Sequence, residues 1–132
     1  MMDSVHPPVT GHQIVLVVED EVMIRELVCD VLESEGLEAV AKCDADQALA
    51  YLRDDASHVA LIFTDINMPG SMDGAGLANY SRLAWPDIPV LAMSGMETCE
   101  SAGITGSVSL IRKPFAMADM MSKVRTALAG RP

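Results

Sequence analysis

An aspartate follows a short apolar run at the point where a buried strand would end. Residues 61–74 read LIFTDINMPGSMDG, in which Asp65 closes the run and Pro69 and Gly70 break it. Its length and its β-branched and aromatic content predict a strand that leads into a loop. A strand end is the usual ligand position in an open α/β sheet. A buried carboxylate there needs a cation, hydrogen bonds or a reaction partner, although one that merely caps the next turn is the simpler interpretation.

Three other apolar runs also end in residues of complementary chemistry. In chain order, the first apolar run is followed by Glu19 and Asp20, the fourth by Ser94 and the fifth by Lys113. Carboxylates crowded at one sheet edge repel one another, so that either one stays protonated or a hard divalent cation lies among them. Oxygen ligands without a nearby His or Cys favour Mg²⁺ over zinc. A lysine and a hydroxyl beside such a site suit a phosphoryl group, which Asp65 could attack as a nucleophile.

The rest of the chain alternates short strands with helices, and this alternation predicts how those residues are positioned. The predicted strands cover residues 13–18, 37–43, 59–64, 89–93 and 107–111. Alternation indicates a parallel sheet with helices on both faces, whose right-handed connections gather the strand-end loops at one edge. The fold class is therefore α/β, while the alternation itself leaves the strand order open.

The predicted helices are amphipathic. Their inward-facing residues are Ile24, Leu27, Val28, Val31 and Leu32 in the first, Ala48, Leu49 and Leu52 in the second, Leu77, Tyr80, Leu83 and Ala84 in the third, and Met117, Met120, Met121, Val124 and Leu128 in the fifth. Gly36 is predicted to end the first helix, and Asp44 and Asp73 to cap the second and third. Residues 96–106 should hold a short fourth helix. Because this segment contains two glycines, we expect it to be the most mobile part of the domain.

Length and composition narrow the class of protein. A chain of 132 residues suits one domain, which we assign to residues 13–130, after a flexible N-terminal arm of residues 1–12. Nine Lys and Arg against nineteen Asp and Glu give a net charge of −10, which argues against a nucleic-acid partner. No apolar run approaches the length of a membrane span, and the start lacks a secretory signal. Three scattered cysteines suit reduced thiols in a cytoplasmic protein.

Four motifs together resemble the receiver domain of bacterial two-component response regulators. They are Glu19-Asp20, Asp65 with Met68-Pro69 and Asp73-Gly74, Ser94-Gly95, and Lys113-Pro114-Phe115. Each is weak alone, but all four in order at strand ends are highly specific, and the resemblance covers nearly all of residues 13–128. It implies a flavodoxin-like, doubly wound sheet of five parallel strands in the order 2-1-3-4-5, with helices on both faces.

The resemblance also implies a role for each candidate residue. Asp65 would be the phosphoacceptor, Lys113 the phosphate-binding lysine and Ser94 the switch hydroxyl. The Lys113–Pro114 peptide bond would be cis, as it is in the family.

The implied cofactor is Mg²⁺. Asp20, Asp65 and the backbone carbonyl of Asn67 would bind the ion directly, and Glu19 would act mainly through water. Glu at position 19, where Asp is commoner in the family, should alter the metal geometry only modestly.

The function implied is that of a stand-alone signalling switch rather than an enzyme. It would take a phosphoryl group from a histidine kinase or histidine phosphotransferase and assist its own phosphorylation and dephosphorylation. A contact with an unidentified downstream protein would then change at the face built from the fourth and fifth strands and helices. We expect no nucleic-acid partner and no membrane insertion, and we allow for a weak homodimer.

Two alternatives of the same fold stay open: a receiver domain excised from a hybrid histidine kinase or larger regulator, and a phosphorylation-independent interaction scaffold. The scaffold is suggested by Leu110, where the family often has an aromatic residue, and by the short fourth helix. A haloacid dehalogenase-type phosphatase would need a second Asp where Asn67 stands. A nucleotide-binding domain would need a glycine-rich loop where Glu19 and Asp20 stand.

Overall fold

A sheet of five parallel strands forms the centre of this computed structural model, which describes residues 14–106 and 108–130. The strands are β1 Ile14–Val18, β2 Glu38–Lys42, β3 Val59–Asp65, β4 Val90–Ser94 and β5 Ser109–Arg112. Their order is β2-β1-β3-β4-β5, and each neighbouring pair is parallel. The predicted α/β class and strand order are confirmed. The predicted N-terminal arm lies outside the described residues.

Helices cover both faces of the sheet, as predicted. They are α1 Val22–Ser34, α2 Ala45–Asp55, α3 Gly74–Ala84, α4 Cys99–Ala102 and α5 Met117–Ala129, and a 3₁₀ turn, Ala56–His58, follows α2. Successive residues of a strand face opposite sides, so Val15 and Val17 pack with α1 and α5, whereas Leu16 and Val18 pack with α2 and α3. No helix of the described residues is long and apolar enough to cross a membrane.

Local side-chain chemistry sets the helix ends as predicted. The Asp44 carboxylate accepts a hydrogen bond from the Gln47 backbone N–H at 2.8 Å, and the Asp73 carboxylate accepts one from Gly76 N–H at 2.9 Å. Each bond satisfies an amide that would otherwise lack a partner in the first turn. After α1 the chain turns at Gly36, whose φ of 88° lies in the left-handed region that favours glycine.

Four residues predicted to face inward are exposed instead, and they are Leu27, Tyr80, Leu83 and Ala84. Leu27, Tyr80 and Leu83 expose 51 %, 41 % and 88 % of their surface. In α3 the buried stripe includes Ser81, whose hydroxyl donates to the Ala78 carbonyl at 3.2 Å and so needs no external partner. A polar residue therefore occupies an inner position, and the apolar pattern misplaced the stripe. Leu27 lies at the margin of the α1 stripe, beside the buried Val28.

The fourth helix is a single turn with clear ends. Thr98 and Ser101 form a capping box at its start, where Ser101 N–H donates to the Thr98 hydroxyl at 3.0 Å and Thr98 N–H donates to the Ser101 hydroxyl at 2.8 Å. Gly103, with φ 78°, ends it. The sequence predicted the shortness of this helix but not its capping box.

The loop after α4 is hydrogen-bonded to α3. Asn79 donates through its side-chain amide to the Gly103 carbonyl at 2.9 Å and accepts from the Thr105 N–H at 2.8 Å. Arg82 donates to the Thr105 carbonyl at 3.1 Å, and Ile104, only 7 % exposed, packs beneath the loop. These contacts tie the second half of residues 96–106, from Gly103 onward, to α3. The predicted mobility of the whole segment stays a prediction.

Replacing Asn79 should loosen this loop without unfolding the domain. In Asn79→Ala, hydrogen exchange of the Thr105 amide should rise about tenfold, because its acceptor is removed. Asn79→Asp is the matched control, since it keeps an acceptor for Thr105 and loses only the donor to Gly103. Equal protection of Thr105 in wild type and Asn79→Ala would contradict the proposed tether. Exchange measured by NMR resolves the single amide.

Candidate functional site

The carboxyl ends of the strands bring the predicted site residues to one edge of the sheet. Val18 of β1 pairs with Thr64 of β3, so that Glu19 and Asp65 follow at neighbouring positions. Asp65 and Ser94 are the last residues of β3 and β4, one position beyond the predicted strand ends. Lys113 follows β5, and its backbone N–H donates to the Ser94 carbonyl at 2.7 Å.

Lys113 neutralises the buried carboxylates. Its ammonium lies 2.6 Å from Asp65 Oδ2 and 3.3 Å from Glu19 Oε1. Glu19 is fully buried and Asp65 is 6 % exposed, so neither carboxylate is solvated as it would be in water. A buried charge without a partner is costly, which gives the lysine a structural role as well as a chemical one. The Lys113–Pro114 bond that follows is cis, as expected.

Burial and neighbouring charges shift the proton affinities at this edge. Burial, together with the negative charge of Asp65, raises the pKa of Glu19 to about 7, although the Glu21 N–H and Lys113 oppose that rise. For Lys113, burial lowers the pKa, but the hydrogen bond to Asp65 and the charges of Asp65 and Glu19 outweigh it and raise the pKa overall. The pKa of one carboxylate of the cluster is therefore raised, by burial more than by repulsion between the carboxylates.

The three carboxylates are close enough to share one cation. Glu19, Asp20 and Asp65 each offer a carboxylate oxygen, and these atoms lie within 4.8 Å of one another. Asp20 is exposed and leaves the cluster open to solvent on one side. An all-oxygen, anionic donor set of this size fits Mg²⁺. The backbone N–H of Asn67 donates to Asp65 Oδ1 at 3.2 Å, which places this residue beside the same carboxylate.

The loop between β3 and α3 approaches Asp65 closely. A Cβ at Gly74 would lie 1.7 Å from the Asp65 carbonyl oxygen, a distance that no side chain tolerates. The Gly74 N–H donates to the Ile66 carbonyl at 2.8 Å, and the Ser71 hydroxyl donates to the Asp46 carboxylate of α2 at 2.9 Å. Glycine at position 74 therefore reflects packing of the loop against the end of β3.

Ser94 reaches the site edge, but its hydroxyl is engaged elsewhere. The side chain is buried, and its Oγ donates to the backbone carbonyl of Glu97. The structure thus brings Ser94 to the same edge as Asp65 and Lys113 without directing the hydroxyl at Asp65.

Glu97, which no sequence pattern indicated, links two loops at this edge. Its Oε1 accepts from the Gly95 N–H at 3.0 Å, and its Oε2 accepts from the side-chain amide of Asn67. The hydrogen bond from Asn67 is the main reason that the pKa of Glu97 is lowered. On the other side of the loop, Arg112 donates to the Gly95 carbonyl at 3.0 Å. Asn67 and Glu97 lie 30 residues apart, so no local sequence pattern predicts the contact between them.

Comparison with known sequences finds one family over most of the chain. A family model described as a response regulator receiver domain matches residues 15–125. The nitrogen assimilation regulatory protein NtrX of Azorhizobium caulinodans is 40 % identical over 105 residues, 76 % of this chain and 23 % of that protein. The phosphate regulon transcriptional regulatory protein PhoB of Escherichia coli is 33 % identical over 118 residues, 86 % of this chain and 51 % of that protein. The chain therefore spans about a quarter to about half of such relatives.

Solved structures show the same architecture. The receiver domain of NtrX from Brucella abortus superposes with a TM-score of 0.79 at 36 % identity, covering 88 % of this chain and 98 % of that one. A response regulator receiver protein from Sinorhizobium medicae gives a TM-score of 0.82 at 24 % identity, covering 92 % of this chain and 98 % of that one. At that lower identity the likeness shows the fold alone.

Cation binding should depend on pH through Glu19. With the pKa of Glu19 raised to about 7, a proton competes with a cation below that pH, so Mg²⁺ affinity should rise as pH increases through about 7. Titration calorimetry at about pH 6 and about pH 8 measures this dependence, which Glu19→Gln should flatten. Asp20→Asn should weaken binding at both pH values but keep the slope. Equal affinities of wild type and Asp20→Asn would count against the site.

Proposed function

The chain belongs to the response regulator receiver domain family, and from that premise we propose that it is a phosphorylation-controlled signalling switch whose phosphoacceptor is Asp65. The observation that carries this proposal is the Asp65 carboxylate at the end of a buried strand, paired with the Lys113 ammonium at 2.6 Å. Glu19 and Asp20 lie within reach of the same carboxylate. Few structural roles require three carboxylates and one lysine at a single sheet edge.

The proposed reaction is transfer from a phosphohistidine of a histidine kinase or histidine phosphotransferase. An Asp65 oxygen forms a bond to phosphorus while the phosphorus–nitrogen bond breaks, and the bonding electron pair leaves with the imidazole nitrogen. No oxidant, reductant or further co-reactant is needed. The chain supplies a positioned nucleophile, which suits a phosphoacceptor that assists its own phosphorylation and dephosphorylation and not a general phosphatase.

Lys113 and Ser94 are proposed to bind the transferred group. The Lys113 ammonium already lies between two carboxylates, so it can move from an Asp65 oxygen to a phosphoryl oxygen without leaving the site. Ser94 has to break its hydrogen bond to the Glu97 carbonyl before its hydroxyl can donate to the phosphoryl group. That exchange of partners gives phosphorylation a local structural consequence.

The donor set described above fits Mg²⁺, and we assign the ion to Asp20, Asp65 and the Asn67 carbonyl. Glu19 is assigned a role through water. Bound there, the ion supplies positive charge that offsets the phosphoryl oxygens. Asp20 keeps this side of the site accessible to solvent, whereas burial of Asp65 keeps bulk water from its carboxylate.

Exposed apolar side chains near the site support the proposal that the phosphoryl donor is a protein. Val22 and Met23, at the start of α1, expose 52 % and 83 % of their surface, and Met96, two residues after Ser94, exposes 89 %. A largely apolar cavity of about 410 Å³ lies beside Lys113, between Leu27 of α1 and Phe115. Apolar surface around a catalytic edge is typical of a docking site for another protein.

The output surface is proposed to be the β4-α4-β5-α5 face. Leu110 and Arg112 of β5 line an open cavity of about 440 Å³ with Asp119 of α5. A downstream protein that docks there would sense changes in the loop that carries Ser94.

The described cysteines are free thiols, in keeping with a cytoplasmic protein. The curated relatives are longer than this chain, and the proposed switch also fits the receiver portion of a larger regulator or hybrid kinase.

Asp65 should be the only stoichiometric phosphorylation site. Incubation with Mg²⁺ and acetyl phosphate should add one phosphoryl group to the wild-type chain, as intact-protein mass spectrometry would show. Asp65→Asn should show no adduct, because the nucleophile is lost while its shape is kept. Asp119→Asn, a change at an exposed carboxylate of α5, is the matched control and should be modified like wild type. An undiminished adduct on Asp65→Asn would overturn the assignment.

Phosphorylation should order residues 96–102, the first half of the segment that contains α4. Beryllofluoride, a phosphoryl mimic, should slow amide exchange in residues 96–102 more than in residues 103–106, which are already tethered to α3. We expect a partial shift, because a nearly complete one requires about 5.5 kcal/mol of differential binding, more than one hydroxyl contact supplies. Full protection of residues 96–102 before the mimic is added would contradict this expectation.

A further inference from the structure

The carboxylate of Glu97 holds the β4–α4 loop at two points. One oxygen accepts from the Gly95 N–H at 3.0 Å, and the other accepts from the side chain of Asn67 in the β3–α3 loop. Asn67 in turn donates its backbone N–H to Asp65 at 3.2 Å. A single acidic side chain therefore connects the loop after Ser94 to the loop after Asp65.

This arrangement fixes the acceptor of the Ser94 hydroxyl. Ser94 Oγ donates its hydrogen bond to the backbone carbonyl of Glu97. Glu97 Oε1 lies 3.5 Å from Ser94 Oγ. A serine hydroxyl has one hydrogen to donate, so Ser94 cannot donate to Glu97 and to a phosphoryl group at once. Whatever keeps the Glu97 carbonyl in place also keeps Ser94 away from Asp65.

We propose that Glu97 is a positioning residue that holds Ser94 in its disengaged orientation until a phosphoryl group is present on Asp65. The inference rests on the proposed function and deepens it, because it assigns the stabilisation of the disengaged state to a residue that does not bind the phosphoryl group. Glu97 acts through Ser94 and does not contact the reacting atoms. In the proposed switch, its carboxylate contacts to Gly95 and Asn67 are made in the disengaged state and are lost when Ser94 turns to the phosphoryl group.

The thermodynamic consequence is that Glu97 lowers the affinity of the site for a phosphoryl mimic. A contact present in only one of two states opposes any ligand that selects the other state, by the factor with which it stabilises the first. Removing the carboxylate should therefore strengthen binding. The loop would remain attached, because Arg112 still donates to the Gly95 carbonyl at 3.0 Å and Thr98 still caps α4.

The test compares beryllofluoride binding by Glu97→Ala and Glu100→Ala in the presence of Mg²⁺, by titration calorimetry. Glu100 is an exposed acid of α4 whose side chain makes no hydrogen bond to the described residues. Glu97→Ala should bind about tenfold more tightly than wild type, the coupling expected from charged hydrogen bonds present in one state. Glu100→Ala should match wild type. Circular dichroism confirms that both variants fold.

A second pair of variants distinguishes positioning of Ser94 by Glu97 from electrostatic repulsion between Glu97 and the phosphoryl mimic. In a Ser94→Ala background the hydroxyl is absent, so adding Glu97→Ala should leave beryllofluoride affinity unchanged. Removal of a repelling negative charge would instead strengthen binding equally in both backgrounds, and that result would overturn the proposal. Equal affinities of wild type and Glu97→Ala would overturn it as well.

Beryllofluoride binding by the wild-type chain distinguishes a failure of the proposed function from a failure of the role of Glu97. A wild-type chain that binds no beryllofluoride would overturn the role of Asp65 and the role of Glu97 with it. Normal wild-type binding without any gain in Glu97→Ala would overturn only the role of Glu97. In the metal-free protein, faster exchange of the Gly95 amide in Glu97→Ala than in Glu100→Ala would support the anchoring contact directly.

Discussion

The ion pair between Lys113 and the buried carboxylates is the interaction on which the site depends. Two acids at one sheet edge, Glu19 fully buried and Asp65 nearly so, would repel each other if no cation were near. The Lys113 ammonium contacts both, at 3.3 and 2.6 Å. Because the lysine follows β5, and β4 lies between β5 and β3, this contact also ties the outer strand to the centre of the sheet.

The same contact keeps the site ready for chemistry. The Asp65 carboxylate is held by Lys113 on one oxygen and by the Asn67 N–H on the other, so its orientation is set before any ligand arrives. Both hydrogen bonds are partly buried, and both donors can turn to new oxygens as charge accumulates. Stability and readiness thus come from one set of partners. Burial of Glu19, with a smaller contribution from the charge of Asp65, raises its pKa.

Hydrogen bonds fix both ends of the segment that connects β4 to β5. Ser94, Glu97 and Asn67 join the loops after β4 and β3, while Asn79 and Arg82 of α3 hold the loop that follows α4. Between these two anchored points lies only one helical turn, capped by Thr98. A change at Ser94 therefore acts on a short segment with fixed ends, and its effect is concentrated there instead of spreading along a long helix.

The sequence by itself determined the fold class and the composition of the site. Apolar runs that end in Glu19, Asp65, Ser94 and Lys113 are local signals, and parallel strands bring such ends to one edge whatever their order. The strand order came from resemblance to the receiver family and was confirmed by the structure. Tertiary structure alone decided that Tyr80 and Leu83 face solvent, and that Glu97 contacts Asn67. Helix orientation depends on packing against the rest of the core, and hydrogen bonds between distant residues leave no periodic signal in the chain.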